Sequence, residues 1–326
     1  MRIRSWNRNL IYVLGLSGPH GVKRAAGSLL YVFDQSLLRW ALQAGVELQL
    51  NSKVAGVSPA GSHVDVRCAG RADPTCARAC ILANGASYGL QAEMGLGMPP
   101  VRLNSAQVEL PAASPGDVEI FFGSSVAPQG FAWIAPVVRP SGYYARIGLM
   151  CEGNGALYFE KLLDRVAGRW GLDIRLPITP RLKLLPLSPI RKTYGDRLLV
   201  IGDAAGLVKP TTGGGLYYSV LSASVASDVL AEALLRDDLG EAALREYETR
   251  WRGRLQEELE AQLTLRLLAQ RLTDADIEQL FQLASTDGLI PLIRQTVQFN
   301  EHRDLVAALL KYPATRKILF RKLLGR

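Results

Sequence analysis

The stretch from Leu198 to Gly215 reads Leu-Leu-Val-Ile-Gly-Asp-Ala-Ala-Gly-Leu-Val-Lys-Pro-Thr-Thr-Gly-Gly-Gly and holds the residues best suited to chemistry. Leu198–Ile201 is wholly apolar, as in a strand buried within a parallel sheet. Gly202 ends that strand. Asp203 then falls at its carboxyl end, where open α/β sheets bind ligands, and can accept hydrogen bonds from ligand hydroxyls. Ala204, Ala205 and Gly206 let backbone approach a ligand closely, and Pro210 stiffens the loop that ends at Thr212. Gly213, Gly214 and Gly215 open a helix expected to run to Leu235. Its first N–H groups lack intrahelical partners and its dipole is positive at that end, which favours negative charge. Ser219, Ser222, Ala223, Ser224, Ala226 and Ser227 are small enough for tight packing.

These residues need elements to hold them. Phe33–Gly45 reads as a helix, with Leu37, Leu38, Ala41 and Leu42 at helical spacing and Gly45 as its stop. Val46–Leu50 alternates as a strand. Val54–Val57 and His63–Arg67 read as a hairpin turning at Ser58–Gly61. Ala79–Ala83 reads as a buried strand that ends in a turn at Asn84-Gly85. Val101–Leu110, Asp117–Phe122, Phe131–Val137 and Tyr143–Met150 read as four sequential strands, which favours an antiparallel sheet. A helix over Ala156–Trp170 and a proline-rich return over 171–195 follow. Beyond Gly240 the pattern is helical, and Thr273 with Asp276 resembles a capping box.

The chain has 326 residues, of which 48% are hydrophobic, and four cysteines. That composition excludes a disordered chain and suits an α/β enzyme of one large or two medium domains. The net charge of +8 is concentrated at the ends: residues 1–30 hold five basic groups and residues 311–326 hold six, with no acid in either. The 280 residues between them carry 27 basic and 30 acidic groups, so no nucleic-acid groove is expected across the body. No run of 18 apolar residues predicts a membrane-spanning helix, and Leu10–Leu16 reads as a strand rather than a signal peptide. Cys68, Cys76, Cys80 and Cys151 form no CxxC pair, and His20, His63 and His302 fall at no zinc-ligand spacing, so no metal site is expected. Reduced thiols in a cytoplasmic protein are the main reading, with a Cys76–Cys80 redox pair as the alternative.

The Gly-Asp-Ala-Ala-Gly segment, with Pro210 behind an apolar pair and a glycine cluster opening a helix, resembles the second flavin-binding motif of FAD-dependent oxidoreductases. Within that group it is most similar to the geranylgeranyl reductase family. Phe33-Asp34 followed by Ala41-Leu-Gln-Ala-Gly45-Val46 is similar to a family helix. Ala79-Cys-Ile-Leu-Ala-Asn-Gly-Ala86 is similar to the family's Ala-Asp-Gly turn, with Asn84 in place of Asp. Phe131-Ala-Trp-Ile-Ala-Pro-Val137 is similar to a substrate-domain motif, with Ala135 in place of an aromatic and Val137 in place of lysine.

The resemblance covers roughly residues 28–326 and implies the fold: an incomplete FAD-binding domain of the glutathione-reductase/hydroxylase type over 1–100 and 186–238, an inserted antiparallel-sheet substrate domain over 101–185, and a helical C-terminal region over 239–326. It implies FAD held by Gly202, Asp203, Ala204, Ala205, Gly206, Pro210, Thr212, Gly213, Gly214 and Gly215. The substrate pocket would include Phe131, Trp133, Pro136 and Tyr217, where Tyr217 and Tyr218 are each read as flavin neighbours or as core. The implied reaction is reduction of C=C bonds in polyprenyl lipids or diphosphates by hydride from reduced flavin. No catalytic residue, proton donor or electron donor is assigned; Lys209, near the loop, is read as a proton-donor candidate or as facing solvent. The family's GxGxxG unit is absent, and Gly15, Gly18 and Gly21, spaced GxxGxxG, are no substitute. A truncated or late-starting product is the reading taken, beside a unit supplied by another chain or a degenerate relative. From Arg316 onward, Leu319, Phe320, Leu323 and Leu324 oppose Lys317, Arg321, Lys322 and Arg326. That terminus either lies on an anionic membrane surface or packs on the body. The alternatives in function are another flavin enzyme, a monooxygenase or halogenase, and a non-catalytic remnant that binds lipid or a partner chain.

Overall fold

The computed structural model describes residues 2–4, 11–13, 26–114, 116–175, 177–286 and 289–320. In chain order it begins with strands β1 (Arg2–Arg4) and β2 (Ile11–Val13), helix α1 (Ala26–Gln43), strands β3 (Val54–Ala60), β4 (His63–Cys68), β5 (Thr75–Ala77) and β6 (Cys80–Leu82), and helix α2 (Gly89–Glu93). Strands β7 (Arg102–Pro111), β8 (Glu119–Phe121), β9 (Phe131–Arg139) and β10 (Gly142–Cys151) lead to helix α3 (Gly155–Trp170). Strands β11 (Arg181–Pro186), β12 (Tyr194–Gly195) and β13 (Leu198–Val200) precede helix α4 (Leu216–Arg236). Helices α5 (Glu241–Ala269), α6 (Asp274–Thr286), α7 (Leu289–Thr296), α8 (Arg303–Lys311) and α9 (Pro313–Phe320) follow. Two units form: one from residues 1–50, 103–183 and 272–282, the other from 51–102, 184–271 and 283–326.

The first unit is built on a sheet of order β11-β7-β10-β9-β8-β1-β2. The four strands expected here pair antiparallel in the order β7-β10-β9-β8. Alternation along β9 buries Ala132 and Ile134 with the Phe159, Leu162 and Val166 side chains of α3. Phe131 and Trp133 therefore point to the opposite face. Pro136 is tolerated in β9 because β8 pairs only with Ala132–Ile134, so no ladder donor is lost on that side. Asn154 caps α3 by accepting from the Ala156 and Leu157 N–H groups, and Gly171 ends it in a left-handed conformation.

The second unit holds two three-stranded sheets, β12-β13-β6 and β3-β4-β5. Leu198, Leu199 and Val200 are all buried, and β13 runs parallel to β6. α4 and α5 supply most of the cover: Tyr218, Val225, Ala226 and Val229 from the first, Leu244, Tyr247, Trp251 and Leu255 from the second. Two α5 side chains also bond polar groups at this sheet and beside it. Tyr247 Oη donates to the Val200 carbonyl at 2.8 Å, and Trp251 Nε1 donates to Thr193 Oγ1 at 2.9 Å.

Several elements differ from the sequence expectations. α1 begins at Ala26, seven residues before Phe33. Val46–Leu50 is not a strand: its alternation is right, yet it joins no ladder among the described residues, and Val46, Leu48 and Leu50 are exposed. β3 continues through Ser58-Pro59, and the hairpin turns at Gly61, where φ is +67°. β6 leaves Ile81 exposed, so it is not buried on both faces. β11 lies inside the proline-rich return, and the three glycines precede α4 rather than opening its first turn. α4 is long and apolar enough to cross a membrane by composition, but its buried face is part of the second unit's core. Gly15–Gly21 and residues 321–326 lie outside the described residues.

The capping box at α6 is present. The Asp276 N–H donates to Thr273 Oγ1 at 3.3 Å, and the Thr273 N–H donates to Asp276 Oδ2 at 3.0 Å. Replacing Thr273 by Ala should cost about 1 kcal/mol. Urea titration should show a lower midpoint with an unchanged slope.

Candidate functional site

The site is assembled where β13 ends and α4 begins. Leu198–Val200 fixes one side because it is buried on both faces. The chain then makes a single 3-10 turn over Gly202–Ala205, closed by Gly206 at φ +72°. Gly202 has φ +58°, and a Cβ there would lie 2.7 Å from Ser219 Oγ. A Cβ on Gly215 would lie 2.5 Å from Asp203 Oδ1. Glycine at both positions is what lets the first turn of α4 come against the strand end.

Asp203 is the functional centre of this turn. Its backbone carbonyl accepts from Tyr88 Oη at 2.6 Å and from the Gly206 N–H at 3.0 Å. Among the described residues, however, no donor bonds its carboxylate. Burial raises the Asp203 pKa above the ordinary carboxylate value. Beside it, α4 starts at Gly215 without a side-chain cap, so the N–H groups of its first turn face the same space. A carboxylate that accepts from hydroxyls and a helix end that attracts negative charge thus stand together. Leu216 and Tyr217 stay exposed on this first turn, and Val220 just beyond it. Tyr218 does not: it is fully buried, and its hydroxyl accepts from Gln262 Nε2 at 3.1 Å.

The remaining predicted residues form the loop between these two ends. Gly213 N–H donates to the Lys209 carbonyl at 2.9 Å, and Lys209 N–H donates to the Gly214 carbonyl at 3.1 Å, closing residues 209–214 on themselves. Gly213 has φ +75°, with Leu185 Cδ2 where a Cβ would sit. Thr212 Oγ1 accepts weakly from Gly214 N–H at 3.4 Å. Pro210 is buried, and its carbonyl accepts from Arg266 Nη1 at 3.0 Å. Ala204 and Ala205 are fully buried; their carbonyls accept from Gln91 Nε2 at 3.1 Å and the Ile190 N–H at 3.0 Å.

The substitution of Asn84 for Asp has a structural account here. The Asn84 and Gln91 amides bond to each other in both directions, at 3.2 and 3.4 Å, and Gln91 passes the contact to Ala204. An Asp carboxylate could only accept and would leave Gln91 Oε1 without its donor.

Other supporting residues are distant in sequence. Glu258, Gln262 and Arg266 recur every four residues and form a buried polar stripe on α5. Gln262 Oε1 accepts from Thr211 Oγ1 at 2.8 Å. Gln262 Nε2 also donates to Glu258 Oε1 at 2.5 Å. The Glu258 carboxylate in turn accepts from the backbone N–H groups of His302 at 2.5 Å and Arg303 at 3.0 Å, capping α8. Because the Thr211 hydroxyl donates to Gln262, its 2.8 Å contact with His302 Nδ1 places the proton on that nitrogen. Burial, then the Lys209 charge, lowers the His302 pKa, in keeping with a neutral ring. Lys209 is not at the surface, which corrects the solvent reading. It is buried, with Nζ donating to the Phe299 carbonyl at 2.5 Å and Asn300 Oδ1 at 3.0 Å. Arg266, bonded to the loop at Pro210, has its pKa pulled down to about 10 by burial. The four-residue spacing of the α5 stripe was the available sequence signal.

In the first unit, Phe131 and Trp133 form an aromatic row with Phe122 and Phe281, with ring centroids 5.7–5.9 Å apart. Trp133 lies across Gly148 of β10, its cross-strand partner, where a Cβ would be 2.5 Å from the indole. Both ring systems are half-buried and stand away from the α3 core. Pro136 is half-buried further along β9.

No protein-family model matches the chain. A digeranylgeranylglycerophospholipid reductase of Methanocaldococcus jannaschii is 30% identical over 272 residues, covering 79% of this chain and 68% of the relative. Digeranylgeranylglycerophospholipid reductase 2 of Methanothermobacter thermautotrophicus is 30% identical over 249 residues, covering 73% of this chain and 60% of the relative. The chain therefore spans about two thirds of the length of these curated relatives. Among solved structures, a geranylgeranyl bacteriochlorophyll reductase-like protein of Thermoplasma acidophilum superposes with a TM-score of 0.73 at 20% identity, over 90% of this chain and 74% of that one. A halogenase, PltM, in complex with FAD superposes with a TM-score of 0.58 at 16% identity, over 90% of this chain and 69% of that one. The mixed α/β fold with its helical C-terminal region is the one these structures share.

Two contrasts follow for stability. Gly206→Ala would force a Cβ to 2.2 Å from the Ser188 carbonyl oxygen at a positive φ, whereas Gly214→Ala meets nothing nearer than 3.5 Å. The first should cost at least about 2 kcal/mol and the second about 1 kcal/mol or less, read by denaturant unfolding. For Asp203, the folded state binds the proton more tightly than the unfolded one. Stability should therefore fall as pH rises from the ordinary carboxylate value through the raised one. Asp203→Asn should remove that fall and leave the unliganded protein more stable than the parent at neutral pH.

Proposed function

The chain belongs to the geranylgeranyl reductase family, and we propose that it binds FAD and reduces isolated C=C bonds in geranylgeranyl chains of lipids or their precursors. The observation that carries this reading is the pairing of Asp203 with the uncapped start of α4 across glycines that leave no room for a side chain. The relatives' name, digeranylgeranylglycerophospholipid reductase, supplies the substrate class.

The residues fit the flavin-facing half of FAD. The Asp203 carboxylate is half-buried, and no donor bonds it among the described residues, which suits a partner rich in hydroxyls such as the ribityl chain. The α4 N-terminus suits the edge of a flavin ring that gains negative charge on reduction. When bound, reduced flavin supplies the hydride; the chain orients the cofactor and excludes water. Gly202, Ala204, Ala205 and Gly206 hold the turn, and Pro210, Thr212, Gly213, Gly214 and Gly215 hold the loop.

For the substrate we assign, in the first unit, Phe131, Trp133 and Pro136 on the aromatic face of β9 and, separately in the second, Tyr217 on the exposed start of α4. Aromatic surfaces and exposed apolar side chains at these positions suit a polyprenyl chain. The membrane is approached through charge rather than insertion at α9. Ile318 and Leu319 are already buried in the second unit, while Arg316 and Lys317 face outward, which supports contact with an anionic surface.

The test is direct. Full-length protein with FAD, a chemical reductant and a geranylgeranyl glycerolipid should yield lipid that gains two hydrogens for each double bond reduced. Hydroxylated or halogenated products would favour the other flavin enzymes, and protein that takes up no flavin would overturn the cofactor assignment. Asp203→Ala should weaken FAD binding about 10–100-fold, measured by quenching of flavin fluorescence, because a charge-assisted hydrogen bond is lost.

A further inference from the structure

The β3-β4-β5 sheet carries a cluster that the flavin site does not use. His63 and Asp65 are two apart on β4, so their side chains share a face. In the antiparallel register Asp65 pairs with Cys76 of β5, which puts the thiol on that face too. The side chains bear this out. His63 Nε2 lies 3.2 Å from Asp65 Oδ1, and Cys76 Sγ lies 3.4 Å from the same oxygen. The three potential donor atoms all fall within 4.8 Å of one another. Val64, between them in sequence, points the other way into the core and is fully buried, anchoring the strand.

We infer that His63, Asp65 and Cys76 form a zinc-class metal site on this sheet. One imidazole nitrogen, one carboxylate oxygen and one thiolate make a mixed donor set of the kind borderline-soft divalent ions take, with tetrahedral bonds of about 2.0–2.3 Å. The donors are already near enough that small rotations of the half-buried His63 and Asp65 and the exposed Cys76 close them on one ion. The residues opposite them on β3 are Ala60, facing His63, and Ser58, facing Asp65. Both are small, which leaves space above the sheet for a fourth ligand such as water. The site is surface-facing and three-coordinate in protein ligands, so it binds an exchangeable ion and does not hold the fold together. His63 and Cys76 are 13 residues apart, a spacing unlike common zinc motifs, and only the strand register brings them together.

The test uses the full chain, reduced and stripped of metal, titrated with Co²⁺ and then Zn²⁺. A thiolate-to-cobalt charge-transfer band, with the visible bands of a tetrahedral site, should appear at one equivalent and be displaced by Zn²⁺. Cys76→Ser should abolish the charge-transfer band, and His63→Ala should weaken Zn²⁺ binding at least tenfold (about the loss seen on disturbing metal ligation). Circular dichroism should show both variants folded. Absence of the band in the parent overturns the proposal. So does its persistence in Cys76→Ser, its loss in Cys68→Ser instead, or unchanged Zn²⁺ affinity in His63→Ala.

Discussion

The structure of the site depends on one steric constraint: the end of β13 and the first turn of α4 are packed too closely for a side chain between them. Ser219 and Asp203 occupy the positions that Cβ atoms on Gly202 and Gly215 would need. From that contact the rest follows. The turn over Gly202–Ala205 must be tight, Gly206 must leave it at positive φ, and the loop over 209–214 must close on itself before the helix can start. The Gly202 N–H donates to Ser222 Oγ, one turn beyond Ser219, so the small residues of α4 have a second role. They provide the approach and also satisfy the strand's last donor.

A loop held this way still carries polar groups that the strand cannot reach, and α5 meets that need. Its stripe of Glu258, Gln262 and Arg266 places a carboxylate, an amide and a guanidinium under the loop. Burying charges like these is costly unless each is multiply bonded. Glu258 meets the condition by capping α8, and Lys209 by bonding Phe299 and Asn300. The segment around Phe299–Arg303 is thereby part of the loop's support. Removing it would strand a lysine and a carboxylate in the core of the second unit, so the C-terminal helices are coupled energetically to the glycine loop.

What was legible in the sequence divides along the same line. The motif from Leu198 to Gly215 announces itself because glycine, aspartate and proline have strong local meanings, and the four strands of 101–150 are set apart by proline, glycine and serine turns. The capping box at Thr273 was readable for the same reason: three residues contain the whole interaction. Val46–Leu50 misled because alternation reports a face but not whether a neighbouring strand exists. Lys209 misled because burial of a lysine is decided by groups some ninety residues on. Asn84 read as a mild departure, yet its value lies in a reciprocal amide pair with Gln91 that no spacing rule contains. Cys76 and His63 were likewise invisible as a pair, since their proximity is a property of register.

Asp203 shows why such a site is not optimised for the free protein. Its carboxylate is partly desolvated and accepts no hydrogen bond among the described residues, a state that disfavours the ionised form and lowers stability at neutral pH. A protein selected only to fold would put asparagine or alanine there. Keeping the acid makes sense if a ligand supplies the missing donors, because the desolvation is then already done and the bond forms in a low-dielectric setting. The same reasoning covers the start of α4, which no side chain at Gly215 can cap because a Cβ there would meet Asp203. Among the described residues, two local defects, an acceptor without donors and a helix start without a cap, stand side by side without neutralising each other. The glycines prevent that by fixing their separation, and a ligand with both hydroxyls and an electron-rich edge completes both.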